Sequence, residues 1–411
     1  MTNLYIVKNT LLIWVMLLVG CGNTPKKDGP KPLAEQIREA QGLPIRTGAD
    51  QTDSYLWLLK DKKVALVGNP TSVIQNKQGG YTHLVDSLLS HGVALQKVFA
   101  PEHGFRGEAD AGESVADSKD TKTGLPIISL HGKNRKPPQA ALEGIELVVF
   151  DIQDVGVRFY TYIATLQLTM EACAEKGIPI LVLDRPNPNA SYVDGPTMED
   201  EHQGFLGMTP IPLVYGMTIG EYAQMINGEG WLENGREAEL TVVPLKHYDH
   251  SRNYSLPIKP SPNLPNDQAV GLYPSLGLFE GTTANAGRGT AFQFQRYGAS
   301  FLDSTQYDLR YTPKPMPGAK YPKEEGKTCF GKDLAQVEIP QQVDLQWLID
   351  AYTHSSDKEK FFLTSGFTKH AGNETLQQQI IDGMSAQEIR ATWQDDIVTF
   401  RKVRAKYLLY E

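Results

Sequence analysis

The residues whose types and spacing best suit chemistry lie between Val98 and Glu108, in the run VFAPEHGFRGE. An apolar segment, Val98-Phe99-Ala100, breaks at Pro101 into an acid, a base and a cation: Glu102, His103 and Arg106, set among glycines. A buried strand that ends in a Gly-rich polar turn is where open α/β sheets place their catalytic groups. Glu102 is therefore a candidate general acid, with His103 beside it to hold or relay the proton. The plainer alternatives are a solvated loop with its ordinary share of charge, or a Glu102 that only orients Arg106.

Four more apolar runs end the same way. Val64–Val67 leads into Gly68-Asn69-Pro70-Thr71-Ser72, and Ile127–Leu130 into His131. Leu147–Phe150 leads into Asp151, Gln153, Asp154 and Arg158, and Ile178–Leu183 into Asp184, Arg185 and Asn187. Helical spacing at Leu84–His91 and Tyr162–Glu175 separates them. Short apolar strands alternating with helices predict a Rossmann-like parallel sheet. The carboxyl ends of such strands share one side, so Glu102, His103, Asp151, Gln153, Asp154, Asp184 and Arg185 are expected to converge. No GxGxxG run follows the first strand and no Walker A pattern occurs, so neither a dinucleotide nor a P-loop function is supported. No Cys/His cluster has zinc-site spacing, and no cofactor is expected. A metal-dependent hydrolase would have to draw on His103, Asp151 and Asp184.

Beyond Asp194 the pattern changes. Met217–Asn227 reads as a helix capped by Thr218, with Glu221 at the box position. Leu240–Pro244 reads as a strand. Ser261–Pro265 holds two prolines in five residues and cannot be regular. Tyr273–Thr290 reads as a long loop of glycine and small polar residues, carrying Glu280 and Arg288. The tail predicts helices at Val343–Tyr352, Leu376–Asp382 and Ala386–Tyr410, the last with Ile389, Trp393, Ile397, Phe400, Val403 and Tyr407 on one face.

A chain of 411 residues with 40% hydrophobic and 21% charged residues is ordinary globular material. Its net charge of -8 offers no electrostatic footprint for nucleic acid. At the start, Lys8 precedes an apolar run over Leu11–Val19 that ends in Gly20-Cys21, too short to span a bilayer comfortably. This resembles a bacterial lipobox. Residues 1–20 are then a lipoprotein signal peptide, Cys21 the lipidated residue and 21–50 a flexible tether containing TPKKDGPKP. The expectation is an exported lipoprotein, anchored to a membrane on the periplasmic side or at the cell surface. Cys173 and Cys329 are too few for a disulfide framework, and Cys173 falls in a helical pattern as a buried apolar residue.

Ten longer motifs then stand in order: GNPTSV (68–73), FAPEHGFRGE (99–108), FDIQDVGVRFYTY (150–162), LDRPNP (183–188), DGP (194–196), PIPLVYGMTIGE (210–221), PSPNLP (260–265), YPSLGLFEGT (273–282), GRGT (287–290) and WQDDIVTFRKVRAKYLLY (393–410). On these the sequence resembles the exo-β-N-acetylmuramidases. Those are peptidoglycan hexosaminidases that remove N-acetylmuramic acid from the non-reducing end of cell-wall sugar chains. The resemblance runs from about Lys63 to Glu411. It implies a Rossmann-like α/β domain, placed at 51–195, a smaller α+β domain at 196–411, and a site in the cleft between them. It also implies peptidoglycan fragments of muramic acid and glucosamine as the substrate.

Glycoside hydrolysis needs a proton donor for the leaving oxygen and a group to meet the oxocarbenium charge. Glu102 is expected to be the donor, and Asp151, Asp154 and Glu280 are candidates for the second carboxylate. The acetamide of an N-acetyl sugar can also attack by itself, which leaves a carboxylate only to steady it. The lactyl ether of muramic acid carries a carboxylate that a guanidinium can read in bidentate fashion, and Arg106, Arg158 and Arg288 are the candidates. Tyr160 and Tyr162 can stack on a sugar, and Asn187 and Asn263 sit on Pro-stiffened loops where they can bond hydroxyls. Gln153, Asp184 and Arg185 complete the expected contacts, with a structural Asp184–Arg185 pair as the alternative. His131 is a weaker candidate. A sugar-binding lipoprotein without catalysis would use the same cleft.

Overall fold

The structure is a computed structural model and describes residues 42–106 and 117–411. The lipobox-like run with Cys21, the tether up to residue 41, and Glu108 lie outside the described residues.

Six parallel strands form the main sheet in the order Leu240–Val243, Ile180–Leu183, Leu147–Asp151, Lys63–Gly68, Ala94–Ala100 and Pro126–Ser129. The short strand Ser118–Lys119 closes one edge antiparallel. Successive side chains point to opposite faces. Ala65, Val67, Val148, Phe150, Ile180 and Val182 accordingly join one apolar cluster, while Val64, Leu66, Leu147, Val149, Leu181 and Leu183 join the other. A strand covered on both sides has to be apolar at every position, which is why these runs do not alternate. The helices Thr52–Leu59 and Leu84–Ser90 cover one face, and Tyr162–Lys176 and Ile219–Gly228 the other. Tyr162–Lys176 stops at Gly177, which takes the left-handed conformation (φ 64°) that glycine adopts without a Cβ clash. The expected capping box is present at Ile219–Gly228: the Thr218 hydroxyl accepts from the Glu221 N–H and the Glu221 carboxylate from the Thr218 N–H.

The strand Leu240–Val243 belongs to the same sheet although it lies well beyond residue 195. The larger apolar cluster also runs without interruption into the C-terminal half, through Leu272, Phe279, Tyr297, Leu348 and Phe367. That half adds a three-stranded antiparallel sheet of Arg296–Ala299, Cys329–Asp333 and Leu309–Tyr311. Cys173 and Cys329 are free thiols, and both are buried.

Three expectations change. Tyr273–Thr290 is not one long loop: Asp267–Leu276 is a helix, capped by the Asn266 side chain on the Ala269 N–H and followed by a 3-10 turn over Gly277–Gly281. The helix starts before that stretch and buries Ala269, Val270, Leu272 and Leu276, and burial of that face decides the local structure. The tail helix is broken at Trp393 into Ala386–Thr392 and Gln394–Arg404, where the indole N–H donates to the buried Asp194 at 3.1 Å. A short helix at Thr364–Ala371 had no clear periodicity and was not expected.

Candidate active site

The strand Ala94–Ala100 delivers Glu102 and His103 through a tight turn closed by the Gly104 N–H on the Pro101 carbonyl at 3.1 Å. His103 sits at φ 71°, in the left-handed region that a β-carbon disfavours. Holding a non-glycine residue there costs on the order of 1 kcal/mol, so the surrounding packing enforces the turn. Phe105 is buried edge-on against His83, with ring centroids 4.7 Å apart. Arg106 turns aside to pair with Asp120 at 2.8 Å and Asp86 at 3.2 Å.

Glu102 and His103 line a cleft of about 300 Å³. Tyr160 and Tyr162 line it as well, and their hydroxyls reach the Pro260 carbonyl at 2.6 and 3.4 Å. The Pro-rich loop 260–265 is thereby tied to the head of helix Tyr162–Lys176. The C-terminal half contributes Asn263, Tyr273, Glu280, Arg288 and His370 to the same lining. Arg288 pairs with Glu280 at 3.2 Å and donates to the Gly318 carbonyl at 3.2 Å. Lys323 grips the same segment by donating to the carbonyls of Phe279, Glu280 and Thr282. Burial pushes the Glu280 carboxyl up, but Arg288 and Lys323 overcome that and hold it below the usual carboxylate range. Glu280 is thus ionised at neutral pH. Asn263 donates from Nδ2 to the Gly318 carbonyl at 2.8 Å, which leaves its buried Oδ1 without a donor among the described residues.

His370 was not among the sequence candidates. It stands near the end of Thr364–Ala371, a helix that reaches the cleft because Gly281 lies against the backbone of Phe367, where a Cβ would not fit. The Gly281–Phe367 approach leaves no mark in local sequence. A histidine alone on an irregular stretch carries no signal of its own.

The remaining strand-end residues converge as expected, but on one another. Asp151 is wholly buried and takes Arg185 Nε at 2.6 Å and Nη2 at 2.8 Å, a bidentate pair that Arg185 extends to the Val73 carbonyl. Asp184 does not pair with the Arg185 guanidinium. Its two oxygens accept from the N–H groups of Arg185 and Gly220 and from the hydroxyls of Thr218 and Tyr410. Asp154 accepts from the Gly156 N–H and the Tyr215 hydroxyl, and burial pushes its carboxyl up to about 7. Gln153 bridges the carbonyls of Asp154 and Pro186, and Asn187 holds the Met217 carbonyl. Arg158 is fully buried and donates to four carbonyls, those of Pro196, Ile211, His370 and Ala371. None of these residues lines the cleft. Asp151 and Asp184 spend their oxygens on protein donors, so with His103 they make no metal-ligand set. Among the described residues the grouping with ligand atoms close enough for an ion is Glu199, Glu201 and His202.

The family model for the N-terminal part of exo-beta-N-acetylmuramidase NamZ matches residues 64–268, and that for its C-terminal part matches 271–410. The two meet at the start of helix Asp267–Leu276. The chain is 37% identical over 386 residues to the peptidoglycan beta-N-acetylmuramidase NamZ of Bacillus subtilis (strain 168), covering 89% of this chain and 91% of the relative. A DUF1343 family protein from Bacteroides fragilis NCTC 9343 superposes with a TM-score of 0.83 at 42% identity, over 90% of this chain and 99% of that one. A second from the same organism gives 0.73 at 28% identity, over 89% and 99%. With both family models matched across one continuous fold, the chain belongs to the exo-β-N-acetylmuramidase NamZ family.

Proposed function

We propose that this chain is a glycoside hydrolase that releases N-acetylmuramic acid from the non-reducing end of peptidoglycan-derived sugar chains. The observation that carries the reading is the cleft itself: Glu102 from the sheet and Glu280 from the C-terminal half line one cavity with a guanidinium, Arg288, among them. Family membership supplies the substrate class.

In this reading Glu102 is the general acid and gives its proton to the leaving glycosidic oxygen. Glu280, ionised beside Arg288, is the carboxylate available to offset positive charge at the anomeric centre or to steady the substrate's acetamide. Of the three arginines considered for the lactyl carboxylate, Arg106, held by Asp120 and Asp86, and Arg158, held by backbone carbonyls, do not line the cleft, whereas Arg288 lines it beside Glu280, which favours Arg288. Asn263, with Oδ1 lacking a donor, suits a sugar hydroxyl or amide N–H. We also propose that Cys21 is lipidated and anchors the enzyme to a membrane. Cys21→Ala should then release it into the soluble fraction, and a variant that stays membrane-bound would refute the anchor.

The deciding experiment is Glu102→Gln, which keeps the shape and removes the proton. Cleavage of a muramic acid–glucosamine disaccharide should fall by roughly 10²–10⁴-fold. A nitrophenyl glycoside needs less protonation of its leaving group and should lose much less. Equal losses on both would give Glu102 another role. A wild-type chain that binds muramic acid saccharides but cleaves neither substrate would be a sugar-binding protein instead.

A further inference from the structure

We propose that His370 is a substrate-contacting residue that accepts, through Nε2, a hydrogen bond from a donor group of the saccharide in the cleft. The inference rests on the hydrolase reading above and adds a residue that neither motif nor spacing singled out.

His370 lines the cleft and lies against the Phe159 ring, with centroids 5.3 Å apart. Its Nδ1 is 2.8 Å from the Gly366 carbonyl. A carbonyl only accepts, so Nδ1 carries the proton and the neutral ring presents an unprotonated Nε2. No protein group takes up Nε2 among the described residues, and that atom is not sealed from solvent, on a residue that lines the cleft. The ring's position is set from two more directions. Arg158 donates to the His370 carbonyl at 3.0 Å, and Phe367 in the same helix packs on Gly281, next to Glu280.

The neighbouring groups show why this nitrogen matters. Arg288 offers the cleft donors only, and the Tyr160 hydroxyl is committed to the Pro260 carbonyl. A sugar presents hydroxyl and amide donors as well as acceptors, and Nε2 adds a neutral acceptor to the carboxylates and the Asn263 Oδ1 already in the lining. The charged groups facing His370 are Glu280 on the 3-10 turn, Lys323 on its loop and Arg158. Burial lowers the basicity of the ring, and Lys323 and Arg158 add to this against the opposite pull of Glu280. The ring therefore stays neutral down to a pH below the ordinary histidine range. On protonation both nitrogens become donors and the acceptor is lost.

The test uses the full chain with a nitrophenyl glycoside of N-acetylmuramic acid, following kcat/KM against pH for wild type, His370→Gln and His370→Phe. Glutamine can place an amide oxygen near the position of Nε2 and does not titrate, whereas phenylalanine keeps the ring contact with Phe159 and has no acceptor. His370→Phe should lose about 2–13-fold in kcat/KM near neutrality, the range for one neutral hydrogen bond, and His370→Gln clearly less. In His370→Gln the acid limb of the wild-type profile should move to lower pH, which a merely structural role would not produce. An acid limb unchanged in His370→Gln, or His370→Phe with wild-type kcat/KM, overturns the proposal alone. Where His370→Phe fails to fold, the limb of His370→Gln decides. A wild-type chain that cleaves no muramic acid glycoside overturns the hydrolase reading and this inference with it.

Discussion

Two sets of acids and bases occupy neighbouring parts of this molecule and differ in one respect. At the ends of the strands Leu147–Asp151 and Ile180–Leu183, Asp151, Arg185 and Asp184 are buried and answered by protein partners. In the cleft beside them, Glu102, Glu280, Arg288 and His370 border open space. Both sets hold two carboxylates and an arginine, and the parallel sheet supplies residues to both. A buried charge has to be paired or hydrogen-bonded, and a group whose valences are all met has none left for a ligand. The strand-end set therefore holds the loops together, and the cleft set is where a substrate can be met.

If the two sets divide in this way, their variants fail differently. The largest effect belongs to Glu102→Gln: the disaccharide rate should collapse by the 10²–10⁴-fold range of lost acid catalysis while the melting temperature stays close to wild type. A large drop in melting temperature would move Glu102 to the structural set. Next, Asp151→Ala leaves Arg185 buried without its partner and should destabilise the fold by about 3–5 kcal/mol in urea or thermal unfolding. The folded fraction of that variant should still turn over substrate. Folded but inactive Asp151→Ala protein would show that Asp151 belongs with the chemistry after all.

Arg288→Ala is expected to fall below both, costing about 1.5–3 kcal/mol in kcat/KM on muramic acid substrates and much less on N-acetylglucosamine analogues. Equal losses on both sugars would place Arg288 as a support for Glu280 alone. The last effect is read only in stability against pH and concerns Asp154, whose carboxyl is raised to about 7 by burial. The unfolded carboxyl titrates near an ordinary value of about 3.9. The raised group contributes stability in full below that value and loses it as pH climbs to about 7, because the unfolded chain sheds the proton first. Wild type should accordingly lose stability across this window, and Asp154→Asn should show a shallower slope. Parallel pH–stability curves for the two would contradict the assignment.

Much of the fold is legible in short stretches. The continuous apolar runs identify strands covered on both faces, Gly177 ends a helix, and Thr218 with Glu221 begins one. These signals survive because a strand's periodicity and a helix cap act over a few residues. The Gly-rich stretch around Tyr273 misled for the same reason, since its helix is held by an apolar face that packs on distant elements.

By itself the sequence determined the parallel sheet, the polar turn that presents Glu102, and the family to which the chain belongs. It also brought Arg106, Arg158 and Arg288 forward as equals, because type and spacing could not separate them. Tertiary structure alone decided that Arg158 is consumed by carbonyls, two of them more than 200 positions away, at His370 and Ala371. It alone brought Glu280 and Arg288 into one cleft with Glu102, and carried His370 there on a helix that Gly281 admits. Propensity and capping act between neighbours in the chain. Which polar group stays unsatisfied depends on packing between segments far apart in it, and that is settled only when the core closes.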